Sequence, residues 1–146
     1  MTEYEIFVAR LKELMSEEGV TANQLASKLG LMHKTVDGWL SDGYFPRVEN
    51  LLKLSAHYRS NIDFLLGLCD EDRLPETVDS VDFSRRFEQL IAEFSYKSNK
   101  IARACGVQPS TVSKWRKNGT VPDTLSLIRL SKLFHCSVEY LLGRVD

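Results

Sequence analysis

The sequence predicts an all-α chain: two tandem five-helix units joined by an acidic linker. Three observations carry that prediction. There is an internal repeat 76 residues apart, apolar residues fall at helical spacing in both copies, and a helix, tight-turn, helix pattern around Gly30 recurs around Gly106. Sliding the chain by 76 positions aligns residues 5–70 with 81–146 without a gap and leaves 19 identities in 66. Among them are Phe7/Phe83, Leu14/Leu90, Asn23/Asn99, Ala26/Ala102, Thr35/Thr111, Val36/Val112, Trp39/Trp115 and Pro46/Pro122. Chance leaves a handful, and a repeat of about 65 residues is long enough to fold alone. The chain therefore divides into a first domain at 1–69, a linker at 70–82 and a second domain at 83–146.

In the first copy, Thr2 caps a helix over Tyr4–Glu18 whose Ile6, Phe7, Leu11, Leu14 and Met15 share one face, and Gly19 ends it. Thr21 caps the next helix, which runs to Leu29, and Gly30 turns the chain into a helix over Met32–Ser41. Asp42-Gly43 stops that helix and Pro46 fixes the loop before Val48–Tyr58; a last short helix, Asn61–Leu66, closes at Gly67. The stretch Cys69–Asp82 has many acids, one proline and little apolar periodicity, hence a linker. The second copy repeats the plan with helices over Phe83–Phe94, Ser98–Cys105, Pro109–Lys117, Thr124–Phe134 and Val138–Leu142. Asp123 and Ser137 stand at its N-cap positions.

Composition excludes several function classes. The apolar fraction of 43% and charged fraction of 27% are ordinary for a soluble globular protein. No apolar run approaches the roughly 20 residues of a membrane span, so a cytoplasmic location is expected. Three cysteines without C-x-x-C spacing and three scattered histidines give no metal or disulfide framework, and Cys105 falls on a core position. With no phosphate-cradling glycine loop, no paired metal ligands and no nucleophile beside a base, the chain is expected to be neither an enzyme nor a cofactor carrier.

Charge is distributed unevenly. Residues 1–70 carry seven basic and ten acidic side chains, whereas residues 81–146 carry eleven basic and six acidic ones, a net of +5. Only the second copy has the electrostatic footprint of a polyanion binder. Around its turn the apolar Ile101, Ala102, Cys105, Val107, Val112 and Trp115 point inward. Gln108, Pro109, Ser110, Ser113, Lys114 and Lys117 form one outer face of the following helix, of a size that fits the major groove.

The pattern A-x-x-x-G-x-x-x-x-x-V-x-x-W (Ala102, Gly106, Val112, Trp115), followed by Asn118-Gly119 and a closing L-L-G, resembles the phage-repressor-like helix-turn-helix family often called XRE. The resemblance implies lambda-repressor-like domains and a sequence-specific, double-stranded-DNA-binding regulator of bacterial or phage type, a repressor acting as a homodimer. Gln108, Ser110, Ser113 and Lys114 are expected on base edges, with Thr111 beside them, and Lys97, Ser98, Lys100, Arg116 and Lys117 on phosphates. The matching set in the first copy is Lys28, His33, Lys34 and Thr35. Two glutamines frequent in that family are replaced here, by Ala22 and His33 in the first copy and by Ser98 and Pro109 in the second. The first copy, with Asp37, Gly38 and exposed Met32, Tyr44 and Phe45 around its reading helix, is expected either to read DNA weakly or to pair chains. The alternative for the whole chain is a protein-interaction module, such as an antitoxin-like or anti-repressor partner, that keeps the fold.

Overall fold

A computed structural model describes residues 1–74, 81–117 and 119–145. Ten helices and no strand occur among them. The chain forms two compact units, Met1–Leu74 and Pro75–Asp146. The first holds α1 (Glu3–Glu18), α2 (Ala22–Leu29), α3 (His33–Ser41), α4 (Val48–Tyr58) and α5 (Ile62–Leu65). The second holds α6 (Phe83–Phe94), α7 (Ser98–Cys105), α8 (Pro109–Lys117), α9 (Thr124–Phe134) and α10 (Val138–Leu141).

Local chemistry sets most of these ends. The Thr2 hydroxyl accepts from the Glu5 amide, and Thr21 and Gln24 form a reciprocal capping box at the start of α2. The Asn61 and Ser137 side chains accept from the amides three residues on and start α5 and α10. Asp123 occupies the N-cap position of α9, yet its side chain makes no capping hydrogen bond. Gly30 and Gly106, at φ of 71° and 68°, carry the chain from one helix into the next in the left-handed conformation that a Cβ resists.

Each unit closes over its own core. In the first, Phe7, Leu11, Leu25, Val36, Trp39, Leu51, Leu54 and Ile62 are buried. In the second, Phe83, Phe87, Leu90, Ile101, Val112, Trp115, Leu127 and Phe134 take the corresponding interior. A fully buried side chain of this size contributes about 1.5–3 kcal/mol, so the apolar repeat in the sequence is the main source of stability.

Two polar devices recur at positions 76 apart. The Arg10 guanidinium lies 3.8 Å over the Phe64 ring and donates to the Phe64 carbonyl at 2.9 Å; Arg86 does the same to Tyr140, at the same two distances. Lys53 reaches the Leu29 carbonyl at 3.4 Å, and Arg129 reaches that of Cys105 at 2.9 Å.

The expected linker begins later than residue 70. The Asn61 side chain donates to the carbonyls of Glu71 (2.7 Å) and Arg73 (2.9 Å), the Asn61 amide donates to the Asp72 carbonyl, and Ser60 and Arg73 form an isolated bridge. Backbone groups make these contacts, so an acidic composition does not prevent them. At the other end the Asp82 amide donates to Leu142 and joins the second unit. Residues 75–80 of the expected linker, and Asn118 of the sequence pattern, lie outside the described residues.

Candidate nucleic-acid interface

In the second unit α7, the Gly106 turn and α8 form the helix, turn, helix read from the sequence, and packing decides which face of α8 is left outward. Val112 and Trp115 are buried, with the Trp115 ring 6.1 Å from that of Phe87 and the Trp115 carbonyl accepting from Ser84 at 3.4 Å. Gln108, Pro109, Ser110, Lys114 and Lys117 are exposed, while Thr111 and Ser113 are half-buried at its flanks. Ser110, Lys114 and Lys117 follow i, i+4, i+7 spacing and so form one ridge. The helix has no acid in its first turn, and Lys114, Arg116 and Lys117 lie in its last, where the helix dipole favours cations.

Below the turn, Arg129 donates to the last carbonyl of α7, and a Cβ on Gly106 would come within 2.9 Å of its Nη1. The turn is fixed from both sides. Cys105 is buried beneath it, and burial pushes its thiol up to about 11. A neutral core residue results, as its position in the sequence pattern predicts.

The cations divide into two kinds. Lys97, which precedes α7, and Lys114 and Lys117 on α8 are exposed and form no ion pair among the described residues. Lys100 lies 4.1 Å over the Tyr96 ring. Arg116 is forked onto Glu88 of α6, with Nε and Nη2 at 2.8 and 3.2 Å from its two carboxylate oxygens. That hydrogen bond raises the guanidinium above its ordinary pKa. Ser98 opens α7 half-buried.

In the first unit His33 and Lys34 are exposed at the start of α3 and Thr35 is half-buried. Lys28 is held at 3.2 Å by Glu18, which also accepts from His57 Nε2 (2.7 Å) and the Tyr58 hydroxyl (2.9 Å). Desolvation pushes the Glu18 carboxyl up, but the hydrogen bonds from Tyr58, His57 and Lys28 together hold it below the ordinary carboxylate value. Burial, reinforced by the Glu18 hydrogen bond and charge, pushes the Tyr58 phenol up. Met32 and Tyr44 are 70% and 66% exposed. Phe45, expected outside with them, packs against Tyr4 and Phe7 with ring centroids 5.8 and 5.7 Å apart. Gly38, expected on the outer face, is buried, and a Cβ there would come 3.3 Å from the Tyr44 ring.

Sequence reasoning missed Glu88, Tyr96, Arg129 and the Glu18 cluster. Glu88 and Arg116 stand 28 residues apart, outside any helical spacing rule; the identity of Arg10 with Arg86 in the repeat is a signal that could have pointed to their shared side-chain device.

Residues 89–141 match the helix-turn-helix family model HTH_3. The matched stretch runs from α6 to the end of α10 and contains the whole α7, turn, α8 unit. The chain is 29% identical over 66 residues to an uncharacterized HTH-type transcriptional regulator of Bacillus subtilis, YobD, covering 45% of this chain and 59% of that protein. It is 34% identical over 68 residues to the HTH-type transcriptional regulator ImmR of the same organism, covering 47% of this chain and 54% of that protein. The chain thus spans somewhat more than half the length of these relatives. A transcriptional regulator from Listeria innocua, known as a crystal structure, shares 34% identity over 46% of this chain and 63% of its own, with a TM-score of 0.43. Among the described residues, no helix is long and apolar enough to cross a membrane, and no group of three or more His, Cys, Asp or Glu is placed to hold a metal ion.

Proposed function

We propose that this chain is a sequence-specific, double-stranded-DNA-binding transcriptional regulator of the XRE type, a repressor, with the second unit as its main reader. The exposed ridge of α8 is the observation that carries the reading: Gln108, Ser110, Lys114 and Lys117 are presented outward by a helix locked from behind through Val112 and Trp115. The HTH_3 match over the same unit supports it, as do the names of the two Bacillus relatives. Gln108, Ser110, Thr111, Ser113 and Lys114 face base edges, and Lys97, Ser98, Lys100 and Lys117 hold phosphates.

The first unit serves to pair chains into a homodimer. Its Lys28 is engaged by Glu18, Asp37 sits on its reading helix, and Met32 and Tyr44 present apolar surface beside His33 and Lys34. The test is selection of bound duplexes from a random pool by the full chain and by Lys114→Ala. A defined motif that relaxes at one or two base pairs in the variant supports the reading; recovery of no motif refutes it.

A further inference from the structure

Arg116 and Glu88 form the one bidentate side-chain ion pair recorded at α8, and it ties the reading helix to a helix outside the helix-turn-helix. Successive helical residues are turned by about 100°. Arg116 therefore lies on the flank of α8 that faces α6, away from the ridge of Ser110, Lys114 and Lys117. The pair is specific to the second unit, because the corresponding positions in the first are Leu40 and Lys12.

Both side chains are partly exposed, at 37% for Arg116 and 47% for Glu88, so solvent weakens the attraction and the pair adds little to the orientation of α8. Trp115 and Val112 already set that orientation. What the pair changes is charge. The ion pair presents no net charge at a distance, and it takes the Nε and Nη2 donors that would otherwise fork onto a phosphate and release a counterion from DNA.

We infer that Glu88 withholds Arg116 from the DNA backbone, lowering the affinity of the second unit for phosphate and leaving discrimination to the ridge of α8. This rests on the DNA-binding reading above, and it removes Arg116 from the phosphate contacts that the sequence alone suggests. Glu88 thereby sets the affinity for the DNA backbone without touching a base. Phosphate neutralisation supplies sequence-independent binding, so one fewer available cation weakens binding to every sequence alike.

The test uses the full chain and measures fluorescence anisotropy of a labelled random-sequence duplex against salt, for wild type, Glu88→Gln, Glu88→Gln/Arg116→Gln and Glu93→Gln. Glu93→Gln removes an acid of the same helix that is exposed and without a recorded partner, and it measures the general effect of charge. The inference predicts that Glu88→Gln steepens the slope of log affinity against log salt by about 0.9 and binds about fivefold tighter at roughly 0.15 M salt. The double variant should return to the wild-type line, and Glu93→Gln should stay on it. Helical circular dichroism should be the same in all four proteins. An unchanged or weaker Glu88→Gln, or a double variant shallower than wild type, overturns the inference while leaving DNA binding in place. Wild type that binds no duplex in a salt-dependent way overturns both.

Discussion

Arg86 lies over the Tyr140 ring, its guanidinium carbon 3.8 Å from the ring centroid, and its Nη1 donates to the carbonyl of that same residue at 2.9 Å. Nη1 also reaches the Val145 carbonyl at 3.2 Å. One side chain therefore ties α6 to α10 and to the residues that follow it. Stacking on the ring and charge-assisted hydrogen bonds to backbone together predict that Arg86→Ala destabilises the second unit by about 2–4 kcal/mol. Arg86→Lys should recover less than half, since an ammonium lacks the planar fork. Urea unfolding of the two variants checks this, and equal stability of Lys and Arg would count against the stacked geometry.

The Gly106 turn offers a comparison within one molecule. Gly30 and Gly106 both have positive φ, but only Gly106 has a neighbour, Arg129 Nη1, within reach of an added Cβ. Gly30→Ala should cost about 1 kcal/mol, the backbone penalty alone. Gly106→Ala should cost more, because the Arg129 side chain must shift and weaken its hydrogen bond to Cys105. In an Arg129→Ala background the two glycine substitutions should become equal, which a denaturant series can read directly.

The helical plan was legible because its determinants are local or periodic. Phe83–Phe94, Ser98–Cys105, Pro109–Lys117 and Thr124–Phe134 have the bounds that apolar spacing, caps and Gly106 predict. Thr2 and Thr21 cap as expected. The outward face of α8 was legible for the same reason, since Val112 and Trp115 define the inward one. What sequence could not supply are contacts between distant residues without periodic signature. Glu88 reaches Arg116, Glu18 gathers Lys28, His57 and Tyr58, and the start of the expected linker folds back onto Asn61. Gly38 was misplaced because the ring that covers it, Tyr44, comes from the loop beyond α3.

Glu18 gives a pH prediction with a definite sign. Hydrogen bonds hold its carboxyl below the ordinary value of 4.5, so the folded state favours the ionised form. The resulting stability is present above that value and is lost as pH falls through the lower, folded one. The second unit has Phe94 and Phe134 at the positions of Glu18 and Tyr58, with ring centroids 5.3 Å apart and nothing to titrate there. Thermal midpoints measured from about pH 6 down to about pH 3 should fall less steeply in Glu18→Gln than in wild type, and an unaltered acid limb would exclude this carboxylate as a cause.

The same cluster separates Lys28 from Lys114, both of which the sequence places among the expected DNA contacts. Lys28 sits 3.2 Å from a Glu18 oxygen, and Lys114 has no ion-pair partner among the described residues. A lysine already neutralised contributes little to counterion release, whereas a free one on the ridge contributes about 0.9 to the salt slope if it meets a phosphate. Lys114 on a base edge adds selectivity as well, about 1–3 kcal/mol for a good contact. Lys28→Ala should therefore leave the salt slope and the selected motif unchanged, while weakening the Glu18 cluster slightly. Lys114→Ala should lose affinity for the selected duplex by more than it loses affinity for random sequence. Equal losses on the two duplexes would move Lys114 from the base edges to the phosphates, and a shallower slope in Lys28→Ala would bring the first unit onto the DNA.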